Sequence, residues 1–206
     1  MGSAAFAERG IPVIAHEASA RLVTARCETC LKNLERILGE DVMRDTKVLA
    51  PPKTLTATDT RELGGRKLQL WHGGWAATPG DLAVIDLASG VAFSGALVSA
   101  QRVPELRDAN IAGWRAALTA FEALPIKKLV PGYGPVGKLG AIAKQRRYFD
   151  ALERQATELL NDGSSLLEAS QRADLPAYAG WDFYAKAHPR NLQQTYLRLE
   201  AAGVGR

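Results

Sequence analysis

Lys67-Leu68-Gln69-Leu70-Trp71-His72-Gly73-Gly74-Trp75-Ala76-Ala77-Thr78-Pro79-Gly80-Asp81-Leu82 is the stretch on which the fold turns. Its first six residues alternate, with Leu68, Leu70 and His72 on one face and Gln69 and Trp71 on the other, as in a half-buried strand. Small residues and turn formers follow, so a loop over 73–81 leaves the strand end. Lys128-Leu129-Val130 repeats the arrangement and runs straight into Pro131-Gly132-Tyr133-Gly134-Pro135. Strand-end loops are where α/β proteins commonly place chemistry, so 73–81 and 131–135 are the candidate site.

Around these loops strands and helices are mixed. Leu82 to Asp86 and Val91 to Phe93 are β-rich and joined at Ser89-Gly90, and Gly64-Gly65 is a turn. Glu105 to Leu124 reads as an amphipathic helix, with Ile111, Trp114, Leu118 and Phe121 at helical spacing. Upstream, Ile11 to Ala15 reads as a short buried strand, and Thr46 to Ala50 and Thr54 to Ala57 as two more. Between them Ser19 to Leu38 is helical, with Val23, Cys27, Cys30, Leu31, Leu34 and Leu38 on one stripe and Gly39 as its stop. The end is mostly helical. Leu139 to Leu160 is one helix, Asp162-Gly163 breaks it, Ser165 with Glu168 forms a capping box, and Asn191 to Ala202 is the last helix. With no repeat or low-complexity linker, the pattern predicts one α/β layered domain over 1–206, with 138–206 a helical extension.

The 206 residues are 47% hydrophobic and 23% charged, enough apolar surface to offset the entropy of ordering a chain. The net charge is +4, and the basic residues are scattered. Lys144, Arg146 and Arg147, beside Tyr148 and Phe149, read as a solvated helix face with an aromatic turned inward, so no nucleic-acid partner is expected. No run reaches the ~18 apolar residues of a membrane span, so no membrane partner is expected either. The residues after Met1 lack the pattern of a signal peptide, which places the chain in the cytoplasm if it is expressed as given. Cys27 and Cys30 cannot by themselves close a four-ligand zinc site, and mid-helix they read as buried small hydrophobes. His16 and His188 are isolated.

Three segments, in order, resemble the metallo-β-lactamase fold family. Gly74-Trp75-Ala76-Ala77-Thr78-Pro79-Gly80-Asp81-Leu82 is similar to its G-x-x-H-T-x-G-D-L loop. Ala92-Phe93-Ser94-Gly95-Ala96-Leu97-Val98 is similar to its strand ending F-x-G-D-L, and Val130-Pro131-Gly132-Tyr133-Gly134-Pro135 to its V-P-G-H-G-P loop. The tail from His188 to Glu200 and the Cys27-Glu28-Thr29-Cys30 helix resemble the branch called quinoprotein relay system zinc metallohydrolases. The resemblance implies an αββα sandwich, present as its C-terminal portion with a helical tail. It also implies the periplasm and a quinoprotein or cytochrome partner.

The departures from that pattern decide the functional expectation. The family's metal-binding His, Asp and His fall at Ala77, Ala96 and Tyr133. Zinc, expected in an intact member, needs three or four convergent N, O or S donors, so neither a metal nor a catalytic residue is assigned. The family's H-x-H-x-D-H loop is absent, and the chain begins about where that loop would end. An incomplete first sheet would leave apolar surface to be covered by self-association. The relic loop positions are His72, Trp75, Ala77, Thr78, Gly80, Asp81, Ala96, Gly132 and Tyr133. Asp81 is expected to cap loop amides, while Thr78, Gly80 and Gly132 are turn chemistry. His72 is either a stand-in ligand or simply hydrogen-bonded. Trp71 and Trp75 are expected to flank the site with Tyr133 opposite, in a pocket that binds a small molecule or is merely filled. The expectation is a degenerate homologue without zinc-dependent hydrolysis. Its alternatives are an active metallohydrolase with an unusual ligand set, and a structural partner of a periplasmic quinoprotein or cytochrome.

Overall fold

The computed structural model describes residues 2–203. The chain divides into two compact units, Met1–Asp59 and Thr60–Arg206. The first contains α1 (Ser3–Ala7), β1 (Ile14–His16), α2 (Glu17–Leu38), α3 (Glu40–Met43) and β2 (Lys53–Leu55). β1 and β2 pair in parallel, Ile14 opposite Lys53 and His16 opposite Leu55. His16 closes the strand and caps the helix, its Nδ1 accepting the Ala18 amide at 3.2 Å.

Three expectations for this unit need correction. The first strand is 14–16, not 11–15, and Ile11 is exposed. Residues 46–50 form no strand. No residue of α2 is buried; Cys27 is half-buried and Cys30 exposed, both as free thiols. The apolar stripe is real in the sequence, but it finds no cover among the described residues.

The second unit is organised by a five-stranded sheet in the order β3 (Asp59–Leu63), β4 (Arg66–Trp71), β5 (Ala83–Asp86), β6 (Val91–Phe93), β7 (Lys128–Val130). Gly64 and Gly65, at φ 59° and 72°, make the tight β3–β4 turn that only residues tolerant of positive φ allow. β4–β5 and β5–β6 are antiparallel; β6 and β7 are parallel, Ala92 opposite Leu129. The parallel pair needs a crossover, supplied by α4 (Ile111–Glu122). Trp114, Ala117, Leu118 and Phe121 are its buried face, each large side chain contributing roughly 1.5–3 kcal/mol of apolar burial. α5 (Gly140–Asn161), α6 (Leu166–Gln171) and α7 (Tyr184–Ala201) complete the unit, and the Ser165–Glu168 capping box is present.

Two helix limits differ from the sequence reading. α4 starts at Ile111 rather than Glu105, because Asn110 caps it by accepting the Gly113 amide at 3.1 Å. Pro104 also biases residue 103 to extended backbone. α7 starts at Tyr184 and keeps Pro189 inside it, since His188, Asn191, Leu192, Thr195 and Tyr196 are buried and hold the turn. Among the described residues no helix is long and apolar enough to cross a membrane.

Candidate functional site

The end of β4 is set by packing. Trp71 lies against Phe121, ring centres 5.2 Å apart, and covers Gly73, where a Cβ would sit 2.1 Å from the indole. His72 follows, its Nδ1 2.9 Å from the Asp81 carbonyl oxygen. A carbonyl only accepts, so Nδ1 carries the proton in this contact. The Asp81 carboxylate accepts the Thr78 amide at 2.8 Å and the Thr78 hydroxyl at 2.7 Å. Burial pushes the Asp81 carboxyl up, and the Thr78 contacts work against that. Asp81 therefore caps the loop it closes.

The loops after β6 and β7 are joined backbone to backbone. Gly132 donates its amide to the carbonyl of Gly95 at 2.9 Å, in the 3-10 turn Gly95–Leu97. A Cβ at 132 would lie 2.3 Å from that oxygen. Ala100 donates to the Tyr133 carbonyl at 2.8 Å, and Gly134, at φ +89°, passes so close that a Cβ would meet the Ala100 oxygen at 1.7 Å. The turn is anchored from the core: Trp114 Nε1 and Gln145 Nε2 both donate to the Leu97 carbonyl, at 2.8 and 3.2 Å.

Ala77, Ala96 and Tyr133 consequently line one cleft of about 340 Å³. Its donor set at these positions is two methyl groups and one phenol, whose ring lies 4.4 Å from the Arg102 guanidinium carbon. Among the described residues no three His, Cys, Asp or Glu side chains converge on a point. A zinc ion does not fit the three positions. Thr78 also lines the cleft, whereas His72, Gly80 and Asp81 support the loop from outside it.

The aromatic walls differ from expectation. Trp71 turns into the core, and Trp75, half exposed, donates its Nε1 to the Asp108 carbonyl at 2.7 Å; neither lines the cleft. Trp114 and Tyr133 do. Sequence reasoning missed Arg102, Arg107 and Arg190, three cationic residues of the lining. Arg107 falls inside the helix expected from Glu105, and Pro104 with the Asn110 cap is the signal that frees it as loop.

Behind the wall at Pro104 sits a buried polar network. Asn191 Nδ2 donates to the Pro104 carbonyl at 2.7 Å and to the Tyr148 hydroxyl at 3.0 Å. The Tyr148 hydroxyl thus gives its own proton to His188 Nδ1 at 3.2 Å. His188 is wholly buried, its Nε2 has no partner, and burial lowers its pKa to about 4. This histidine braces the cleft wall from behind.

No protein-family model matches the chain, and no curated protein matches it by sequence. Solved structures do. A metallo-beta-lactamase family protein from Thermus thermophilus superposes with a TM-score of 0.63 at 19% identity, over 93% of this chain and 68% of its own. A metallo-beta-lactamase from Pontibacter korlensis superposes with a TM-score of 0.52 at 20% identity, over 70% of this chain. The matched region spans 61% of the Pontibacter protein's length. At such identities the likeness shows the fold: mixed α/β, metallo-β-lactamase-like, with helices at the C-terminal end.

Proposed function

We propose, on the premise of this fold, that the protein is a degenerate metallo-β-lactamase-fold homologue that binds a small molecule and does not hydrolyse through zinc. One observation carries the reading. The cleft at 77, 96 and 133 has no convergent metal donors, yet its loops are held by protein hydrogen bonds: Gly132 to Gly95, Ala100 to Tyr133, Thr78 to Asp81. Loops that close on their own backbone and side-chain hydrogen bonds need no ion to keep their shape. Dialysis of the purified chain against micromolar zinc, followed by elemental analysis, tests it. Zinc well below one equivalent is expected. One equivalent that is lost on His72→Ala would instead favour an active enzyme with an unusual ligand set.

The finer assignment, an accessory role beside a periplasmic quinoprotein or cytochrome, is supported only by the resemblance of the tail His188–Glu200 and of the Cys27-Glu28-Thr29-Cys30 helix. Co-purification of a quinoprotein or cytochrome with the tagged chain is its test, and the absence of either from the eluate counts against it.

A further inference from the structure

The cleft carries charge that its apolar walls do not account for. Arg102, Arg107 and Arg190 line it, against Glu105 and Asp108. Arg107 reaches Asp108 at 3.6 Å. The side chains of Arg102 and Arg190 form no hydrogen bond or ion pair among the described residues. Arg102 is half-buried, its guanidinium carbon 4.4 Å from the centre of the Tyr133 ring and 4.6 Å from that of Phe183. Contact with two π-faces steadies the cation but satisfies none of its five N–H donors.

The backbone around Arg102 is strained to hold it there. Among the described residues, Gln101 and Phe183 are the non-glycine residues with left-handed backbone, at φ 57° and 66°. One precedes Arg102 in the chain; the other supplies a ring on which it rests. Two hydrogen bonds fix the pair: Asp182 donates to the Gln101 carbonyl at 2.9 Å, and Val103 to the Asp182 carbonyl at 3.0 Å. Strain of this kind persists only where neighbours over-determine it, and it gathers at ligand clamps. Here it holds a half-buried guanidinium at the edge of the cleft, with its N–H donors on hand for a ligand that enters.

We propose that the cleft binds a small organic anion, a carboxylate or phosphate monoester. Its oxygens accept from Arg102 and Arg190, and its apolar part lies against Ala77, Ala96 and Trp114. A planar guanidinium matches two oxygens of either group. A volume of about 340 Å³ suits a single ring or a short chain. This assignment rests on the reading of the site as a binding cleft.

Benzoate, phenyl phosphate and the neutral benzamide are titrated into the full chain, treated with chelator, while the backbone amide resonances of residues 77, 96 and 102 are followed. Both anions are expected to shift these amides, at least about tenfold more tightly than benzamide, and to weaken as salt is raised. Arg102→Gln is expected to abolish the shifts. Arg190→Gln, at an exposed position, is expected to weaken both anions about threefold or more without altering the melting temperature. The assignment is overturned if benzamide binds as tightly as benzoate, if neither anion moves these amides at about 10 mM, or if both variants bind like the unmodified chain. Zinc retention in the dialysis experiment would overturn the binding-protein reading itself. A zinc-free chain that ignores charge would overturn only the anion assignment.

Discussion

The amide of Gly132 meets the carbonyl oxygen of Gly95 at 2.9 Å, and this contact joins the loops after β6 and β7 at the cleft. It brings Tyr133 to the same space as Ala96.

Gly132→Ala is therefore expected to destabilise the Thr60–Arg206 unit. The added Cβ would sit 2.3 Å from the Gly95 oxygen, a backbone atom that cannot swing aside. Overpacking of this kind costs about 1–3 kcal/mol, or a melting temperature lower by roughly 2–10 °C. Gly137→Ala, where a Cβ meets nothing within 4 Å, is the control and should melt like the unmodified chain. Differential scanning calorimetry of the pair decides.

The Asp81 carboxylate accepts twice from Thr78, so Asp81→Ala leaves a half-buried loop amide and hydroxyl without that partner. The expected loss is about 1–3 kcal/mol, with faster hydrogen exchange at the Ala77 and Thr78 amides. Protection unchanged at these two amides would show that the loop does not depend on Asp81.

His188 makes stability depend on pH in a definite direction. In the unfolded chain its imidazole takes up a proton near 6.5; in the folded chain it does so only near 4. Between these values the unfolded state binds more protons, so stability falls as pH is lowered. The loss is complete below about pH 4 and amounts to roughly 3 kcal/mol. Denaturant unfolding at pH 7 and pH 4.5 measures it. His188→Gln, compared with the unmodified chain, should flatten the difference; an equal slope in both would assign the effect elsewhere.

The first unit presents Ile37, Leu38 and Val42 at 70%, 51% and 69% exposure. Apolar residues so placed favour association. Sedimentation velocity is expected to show concentration-dependent self-association that Ile37→Glu with Val42→Glu diminishes. A single monomeric species at about 100 µM would contradict it.

The parts of the fold that can be read from the sequence are those with local signatures. β4 and β7 with their strand-end loops, the Gly64-Gly65 turn and the Ser165–Glu168 box each announce themselves within a few residues. Thr78 and Gly132 belong to the same class, because turn chemistry is local, whereas Tyr133 is singled out only by the family resemblance. The Trp71 orientation is not legible: alternation assigns faces, but whether a face meets the cleft or the core depends on Phe121, about fifty residues later in the chain. Nor is Arg102, whose partners Tyr133 and Phe183 are distant in sequence. Cys27 and Cys30 mislead for the converse reason, since an apolar stripe predicts burial only if a partner surface covers it.

Anomalous diffraction at the zinc edge, from crystals grown in zinc, tests the central claim most directly. No anomalous peak is expected in the cleft bounded by Ala77, Ala96 and Tyr133. A fully occupied peak there, about 2.0–2.3 Å from any protein nitrogen, oxygen or sulfur, would contradict the account.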